Sequence, residues 1–177
     1  VLPAFDAPPP QWILDGGFFD RPAFAHDERI PWATTSQVLL TRRVLDDHPQ
    51  PFDTRFDISG GEDTHFFAEL RDAGYAIHWC DRAIVHEAIP VSRVDRRWLL
   101  TRQYRRGQTL SLSLRLRHPR PVRYVRRLGN AAVQVVRGLP VAVTGLWRGE
   151  AVLVRGLEKV AFGAGMVTGL AGRRYDE

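Results

Sequence analysis

The clearest run of apolar positions with helical spacing lies between residues 62 and 74. Phe66, Phe67, Leu70 and Ala73 fall at i, i+1, i+4 and i+7, one face of a short helix, and Gly74 stands where a left-handed C-terminal cap belongs. Upstream, residues 1–33 hold Pro8-Pro9-Pro10, Trp12, Phe18-Phe19 and Trp32, a pattern that predicts an ordered but irregular loop packed on the body or bordering a cleft. Residues 34–45 predict a short strand, Gln37 to Thr41, followed by a helical turn. Two more strands are expected in 75–80 and 83–87. Ser92-x-x-Asp95 ahead of Trp98-Leu99-Leu100 fits a capping box with Asp at its closing position, opening a helix that runs to Gly107. Leu110 to Arg117 alternates with a period of two, which favours a strand, and a helix continuing past Gly107 is the open alternative.

Beyond Arg120 the chain turns to Val, Ala, Leu and Gly with scattered cations. The longest uncharged, mostly apolar runs, 138–147 and 160–172, fall short of the roughly 20 residues needed to span a bilayer. Arg126, Arg137 and Arg148 recur at intervals of eleven, about three helical turns, and therefore line one helical face, with Pro140 expected to interrupt it. A basic stripe opposite an apolar face is the pattern of a helix lying in a membrane surface. The competing expectation is a pair of helices packed on another part of the same protein. Two regions follow, 1–117 and a basic amphipathic helical tail, 118–177.

Charge sharpens that division. Residues 1–92 carry 7 Arg against 15 acids, a balance of −8, and residues 93–177 carry 17 Arg and one Lys against 5 acids, a balance of +13. An acidic half suited to proton chemistry is joined to a basic half suited to phosphates, anionic lipid or nucleic acid. Nucleic acid is disfavoured, because the arginines are interleaved with Val, Leu and Gly rather than with stacking aromatics. The single cysteine, Cys80, excludes an intramolecular disulfide and points to a reducing compartment. The opening Val-Leu-Pro-Ala-Phe reads as the interior of a longer protein.

Candidate chemistry centres on Gly60-Gly61-Glu62-Asp63 at the head of the first helix. Asp ahead of a helix is a common N-cap. A carboxylate at a loop-to-helix junction, beside glycines that admit a close neighbour, is equally a way to present a general base.

The ordered series Thr35-Ser36-Gln37-Val38-Leu39-Leu40, Pro51-Phe52-Asp53, Gly60-Gly61-Glu62-Asp63-Thr64-x-Phe66-Phe67, Leu70-Arg71-x-x-Gly74, Ala83-Ile84-Val85-His86-Glu87 and Trp98-x-x-x-Arg102-x-x-Arg105-Arg106-Gly107 resembles the C-terminal half of family 2 glycosyltransferases, inverting enzymes of the GT-A fold, and among them bacterial members that build cell-surface polysaccharides. The resemblance covers roughly residues 1–110. It implies an α/β fold, a partial GT-A domain with a mixed sheet, followed by the helical tail. It implies transfer of a sugar from a nucleotide-diphospho-sugar donor to a saccharide or lipid-linked acceptor hydroxyl, with inversion. Asp63 then takes the role of base. Glu62 orients the acceptor or raises the base's pKa by like-charge proximity. Gly60, Gly61, Trp98, Arg102, Arg105 and Arg106 are the implied substrate-binding residues, and His86 matches a metal-binding histidine of some relatives. The divalent metal, Mn²⁺ or Mg²⁺, would take its main ligands from the family's N-terminal half, since no Asp-x-Asp stands near the start of this chain. Gln37 replaces a common Asn. The implied location is cytoplasmic, at the inner face of the bacterial inner membrane. The alternative is a non-catalytic remnant that binds a membrane surface or a partner.

Overall fold

The structure, a computed structural model, describes residues 1–56 and 60–172. It is a mixed α/β arrangement dominated by helices. In chain order the elements are β1 (Leu2–Phe5), α1 (Gln11–Gly16), β2 (Arg29–Ile30), α2 (Arg42–Asp47), α3 (Glu62–Asp72), β3 (Ile77–His78), β4 (His86–Ile89), α4 (Arg96–Arg117), α5 (Pro121–Arg148) and α6 (Glu150–Leu170). In place of one mixed sheet there are two small ones among the described residues. β1 and β4 run parallel, with Leu2 opposite His86 and Phe5 opposite Ile89, and β2 and β3 run antiparallel.

The helix α3 ends as its sequence requires. Gly74 adopts φ +93°, its N–H reaches the carbonyl of Arg71, and the N–H of Tyr75 reaches that of Leu70. This is the paired closure that a left-handed residue after a helix permits. The start differs from expectation. Gly61, not Asp63, is the N-cap, and Asp63 lies inside the first turn. At the next helix, the Asp95 carboxylate accepts from the Trp98 N–H at 3.0 Å and is itself the N-cap, while 91–93 form a separate 3-10 turn. The reading of Ser92 as the cap is thereby corrected.

Other expectations fail for tertiary reasons. Residues 37–41 form no strand, and the start of the chain, expected to be irregular, supplies β1 and α1. The alternating stretch 110–117, open by sequence between a strand and a continued helix, takes the helical alternative as the second half of α4. Its helical period is masked because α4 is covered from two sides: Thr109 and Ser113 meet the start of α3, and Gly107 and Gln108 meet α6. Pro140 does not interrupt α5, which runs continuously through 121–148. It lies on the exposed side, where water can satisfy the carbonyl that its missing N–H leaves open.

Two cores hold the molecule. Ile13, Phe19, Ile89, Leu99 and Val154 unite α1, β4, α4 and α6, and Val44, Phe66, Phe67 and Leu70 bind α2 to α3. The α4–α6 contact is unusually close. A Cβ placed on Gly165 would stand 2.0 Å from the Tyr104 carbonyl oxygen, and one on Gly107 2.2 Å from that of Phe162. Arg155 of α6 also donates to the carbonyls of Gly16 and Asp15, at 3.0 and 3.1 Å, at the open end of α1. Among the described residues, no helix is long and apolar enough to cross a membrane.

Candidate functional site

Strand parity decides which residues face one another. Successive side chains of a strand point to opposite faces. In the β1–β4 pair, Pro3, Glu87 and Ile89 turn inward and line a cleft of about 340 Å³. The first turn of α3 brings Asp63 to it, and α4 brings Trp98 and Arg102. Arg21, from the loop after α1, and Arg93, from the turn before α4, complete a cationic wall.

The half-buried Asp63 carboxylate is oriented by backbone. Its Oδ1 accepts from the Thr64 N–H at 2.6 Å, and its Oδ2 from the Thr35 N–H at 3.4 Å. The first turn of a helix also favours negative charge, because its N–H groups lack helical partners. No cation pairs with Asp63 among the described residues. Its oxygen atoms therefore keep acceptor capacity toward the cleft.

The cations across from it are treated unequally. Glu87 accepts from Arg21 at 2.9 Å and lies 3.7 Å from Arg93. Arg102 is held without a carboxylate in ion-pairing range among the described residues. Its guanidinium donates to the Phe18 carbonyl at 3.4 Å and lies over the Trp98 and Phe19 rings, 5.3 and 5.8 Å from their centroids. Those two rings stack at 5.9 Å. Burial, then the nearby Arg21, push the Arg102 pKa below its ordinary value. It stays a cation nonetheless, since arginine does not lose its proton in proteins. A half-desolvated cation facing a cleft is a ready counter-charge for an anion.

Of the residues singled out from sequence, Asp63, Trp98 and Arg102 thus converge on one cleft. Glu62 opens the same helical turn but is not among the cleft's lining residues. Gly60 and Gly61 face α4. Gly61, at φ +91°, packs so tightly on Thr109 that a Cβ would lie 2.1 Å from its Cγ2, and Thr109 donates to the Gly60 carbonyl at 3.3 Å. The close neighbour these glycines admit is the protein's own helix. Arg105 leans toward Gly60, 3.4 Å from where its Cβ would be, and Arg106 lies 5.9 Å from the Phe162 ring on α6, away from the cleft. His86 is exposed on the opposite face of β4 from Glu87.

The residues that this chain brings to the cleft do not by themselves compose a divalent-metal site. Glu87 is taken up by two arginines, Asp63 is the other carboxylate, and His86 points away. The described residues that do cluster as potential ligands, His26, Cys80 and Asp81, are exposed and line no part of the cleft.

Arg21, Glu87 and Arg93 were not singled out from sequence. Glu87 carries a partial signal, since a polar residue next to an apolar Ile89 on one strand face marks a site edge. Arg21 carries none, because only the fold brings residue 21 to residue 87. Beside the cleft lies a larger, mainly apolar cavity of about 580 Å³, lined by Trp32, Leu40, Phe67 and Ile77 among others and sharing Val1, Arg21 and Thr34 with the cleft.

One buried group braces the loop ahead of α3. His65 is 1% exposed, bonds Ser113 Oγ through Nδ1 at 2.9 Å, and turns Nε2 toward Glu69 and Asp53 at 3.3 and 3.6 Å. Burial pushes its pKa down. Asp53, held by hydrogen bonds from Arg55, falls to about 2.

No family model matches the chain, and no solved structure matches it. Over 101 residues it is 37% identical to the succinoglycan biosynthesis protein ExoM of Rhizobium meliloti (strain 1021), a match covering 56% of this chain and 32% of ExoM. The chain therefore spans about a third of that relative, and its similarity is to a protein of polysaccharide biosynthesis.

Proposed function

We propose that this chain is the acceptor-side, base-bearing part of an inverting glycosyltransferase of the GT-A type, acting in cell-surface polysaccharide biosynthesis. The observation that carries the reading is the convergence of Asp63, free of any described ion pair, with Arg102, Arg21 and Arg93 on one cleft. The similarity to ExoM supports the polysaccharide context.

The chemistry follows from that pairing. An acceptor hydroxyl is a poor nucleophile at neutral pH. Asp63 takes its proton as the oxygen bonds to the anomeric carbon from the face opposite the leaving group. The anomeric carbon–oxygen bond breaks, and the nucleotide diphosphate departs with the electron pair. The negative charge that gathers there is met by guanidinium groups already in position, which need little reorganisation. Arg102 is the first candidate, because among the described residues no carboxylate lies within ion-pairing range of it. Trp98, stacked on Phe19 and flanked by Arg102, offers a flat edge to a sugar ring. The neighbouring apolar cavity supports an acceptor with an apolar part, such as a lipid-linked saccharide. A divalent metal, if the donor brings one, would need its main ligands from beyond the described residues of this cleft, where Asp63 is the one carboxylate not already paired with arginine.

The test is a transfer assay on the complete gene product with labelled nucleotide sugars and membrane-derived acceptor. Asp63→Asn is expected to lower turnover by about 10²–10⁴-fold, the usual worth of a positioned base, with the circular dichroism spectrum unchanged. Turnover equal to that of the unaltered protein would remove Asp63 from the role. Arg102→Gln is expected to weaken donor binding as well as turnover.

A further inference from the structure

α5 is packed inside out. It is 28 residues long, about 42 Å at the helical rise, and it contains five arginines and no acid. Its buried positions are small: Ala131, Gly138, Ala142 and Gly145. They let the backbones of α5 and α6 nearly touch. A Cβ on Gly145 would stand 2.2 Å from the Leu153 nitrogen, and one on Gly138 2.7 Å from the Gly156 carbonyl oxygen. The large apolar side chains point the other way. Val122, Val136 and Trp147 are 79%, 67% and 79% exposed, and Val125, Leu139 and Val143 are exposed with them. A helix stabilised in water does the reverse, placing Val and Leu in the seam and polar groups outside.

At 3.6 residues per turn these exposed residues share one face, and Arg126, Arg137 and Arg148 form a stripe along its flank, joined by Asn130 and Thr144. The helix thus has three sectors: a small-residue seam against α6, an outward apolar face and a basic edge. Close packing through small residues with large apolar groups outward is how helices pack when lipid, not water, surrounds them. The absence of any acid along the helix makes the complementary surface an anionic one.

We propose that the outward face of α5 docks in the interface of an anionic lipid bilayer, lying in the membrane plane with Val122 to Trp147 toward the acyl chains and the Arg126–Arg137–Arg148 edge at the headgroups. Burial of Val, Leu and Trp supplies the holding energy, and the arginines supply selectivity for negatively charged lipid. Trp147, at the end of the helix, suits the boundary between headgroups and acyl chains. The docking does not rest on the transferase reading, because it is read without turnover.

The experiment is co-sedimentation of the whole chain with vesicles of phosphatidylcholine alone and of equal parts phosphatidylcholine and phosphatidylglycerol. The unaltered chain is expected to pellet with the mixed vesicles and far less with the neutral ones. The double substitution V136D/V143D is expected to abolish pelleting on both. The triple R126Q/R137Q/R148Q keeps good helix formers and should lose the anionic preference, about five-fold in partitioning for each arginine at low salt. An unchanged circular dichroism spectrum shows that either variant is folded. A chain that stays in the supernatant with both vesicles overturns the proposal, as does pelleting that neither variant alters. Sedimentation velocity showing a dimer that V136D/V143D dissociates, with no vesicle binding, would assign the face to a second copy and overturn it too.

Discussion

Replacing Gly165 by Ala and Gly129 by Ala makes the same chemical change in two long helices, and the structure gives the two changes opposite signs. Alanine is the better helix former by about 0.8–1.0 kcal/mol in a helix interior. At Gly129 nothing lies within 4 Å of the added methyl, so this gain is expected nearly whole. At Gly165 the methyl would stand 2.0 Å from the Tyr104 carbonyl oxygen and 3.0 Å from the Gln108 nitrogen. Both neighbours are backbone, so no side chain can turn aside. Restoring ordinary contact near 3.4 Å means moving α6 from α4 by about 1.4 Å at this point. The closely packed glycines at 107 and 169 would then lose contact along the same seam. Overpacking of this kind costs typically about 1–3 kcal/mol, and more where backbone must shift. The propensity gain offsets only part of that. Urea denaturation followed by far-ultraviolet circular dichroism reads both variants. Gly129→Ala is expected to raise the midpoint; Gly165→Ala is expected to lower it, because the upper end of that cost, about 3 kcal/mol, less the propensity gain leaves a net loss of stability of roughly 2 kcal/mol. A Gly165→Ala variant as stable as the unaltered chain, or shifted upward like Gly129→Ala, would refute the close approach of α6 to α4.

Removing the cap of α4 by Asp95→Ala frees the Trp98 N–H and is expected to cost about 1 kcal/mol, measured by the same denaturation. Acid stability should fall in two stages in urea midpoints taken from pH 8 to pH 2. His65 has a folded-state pKa pushed below its ordinary 6.5 by burial, so the fold loses stability as pH drops below that value and the unfolded imidazole takes up its proton. Asp53, lowered from 3.8 to about 2, contributes stability that is present above pH 3.8 and lost as pH falls to about 2; Asp47 and Asp72, also lowered, contribute to the same stage, so Asp53→Asn should shrink it rather than remove it. Loss of transfer in Asp63→Asn, and loss of vesicle binding in the α5 variants, are the two functional outcomes already specified.

Local chemistry was legible from the residues. The face of α3, its glycine closure at Gly74 and the carboxylate at its head all depend on neighbours within a few positions. So does the basic stripe of α5, since a spacing of eleven repeats on any straight helix. Asp63 could be singled out for the same reason, as a carboxylate at the head of a helix that forms locally, whereas Trp98 and Arg102 stood out only through the resemblance of the wider series to family 2 glycosyltransferases.

Tertiary structure decided what depends on distant partners. β1 exists because β4, more than eighty residues later, supplies its hydrogen bonds, and no local pattern announces that. Residues 37–41 have a strand-like composition and no partner strand among the described residues, so they remain a loop. The alternation at 110–117 was overruled because α4 is contacted from two sides, which hides its helical period. Parity on β4 turned Glu87 into the cleft and His86 out of it, a choice of one residue that sequence spacing cannot make. The Gly60-Gly61 pair was legible as a place of close approach, but only the fold showed that the approaching body is α4. The sequence determined which side chains could act; the packing of α4 against α3 and of β1 beside β4 determined which of them face one another.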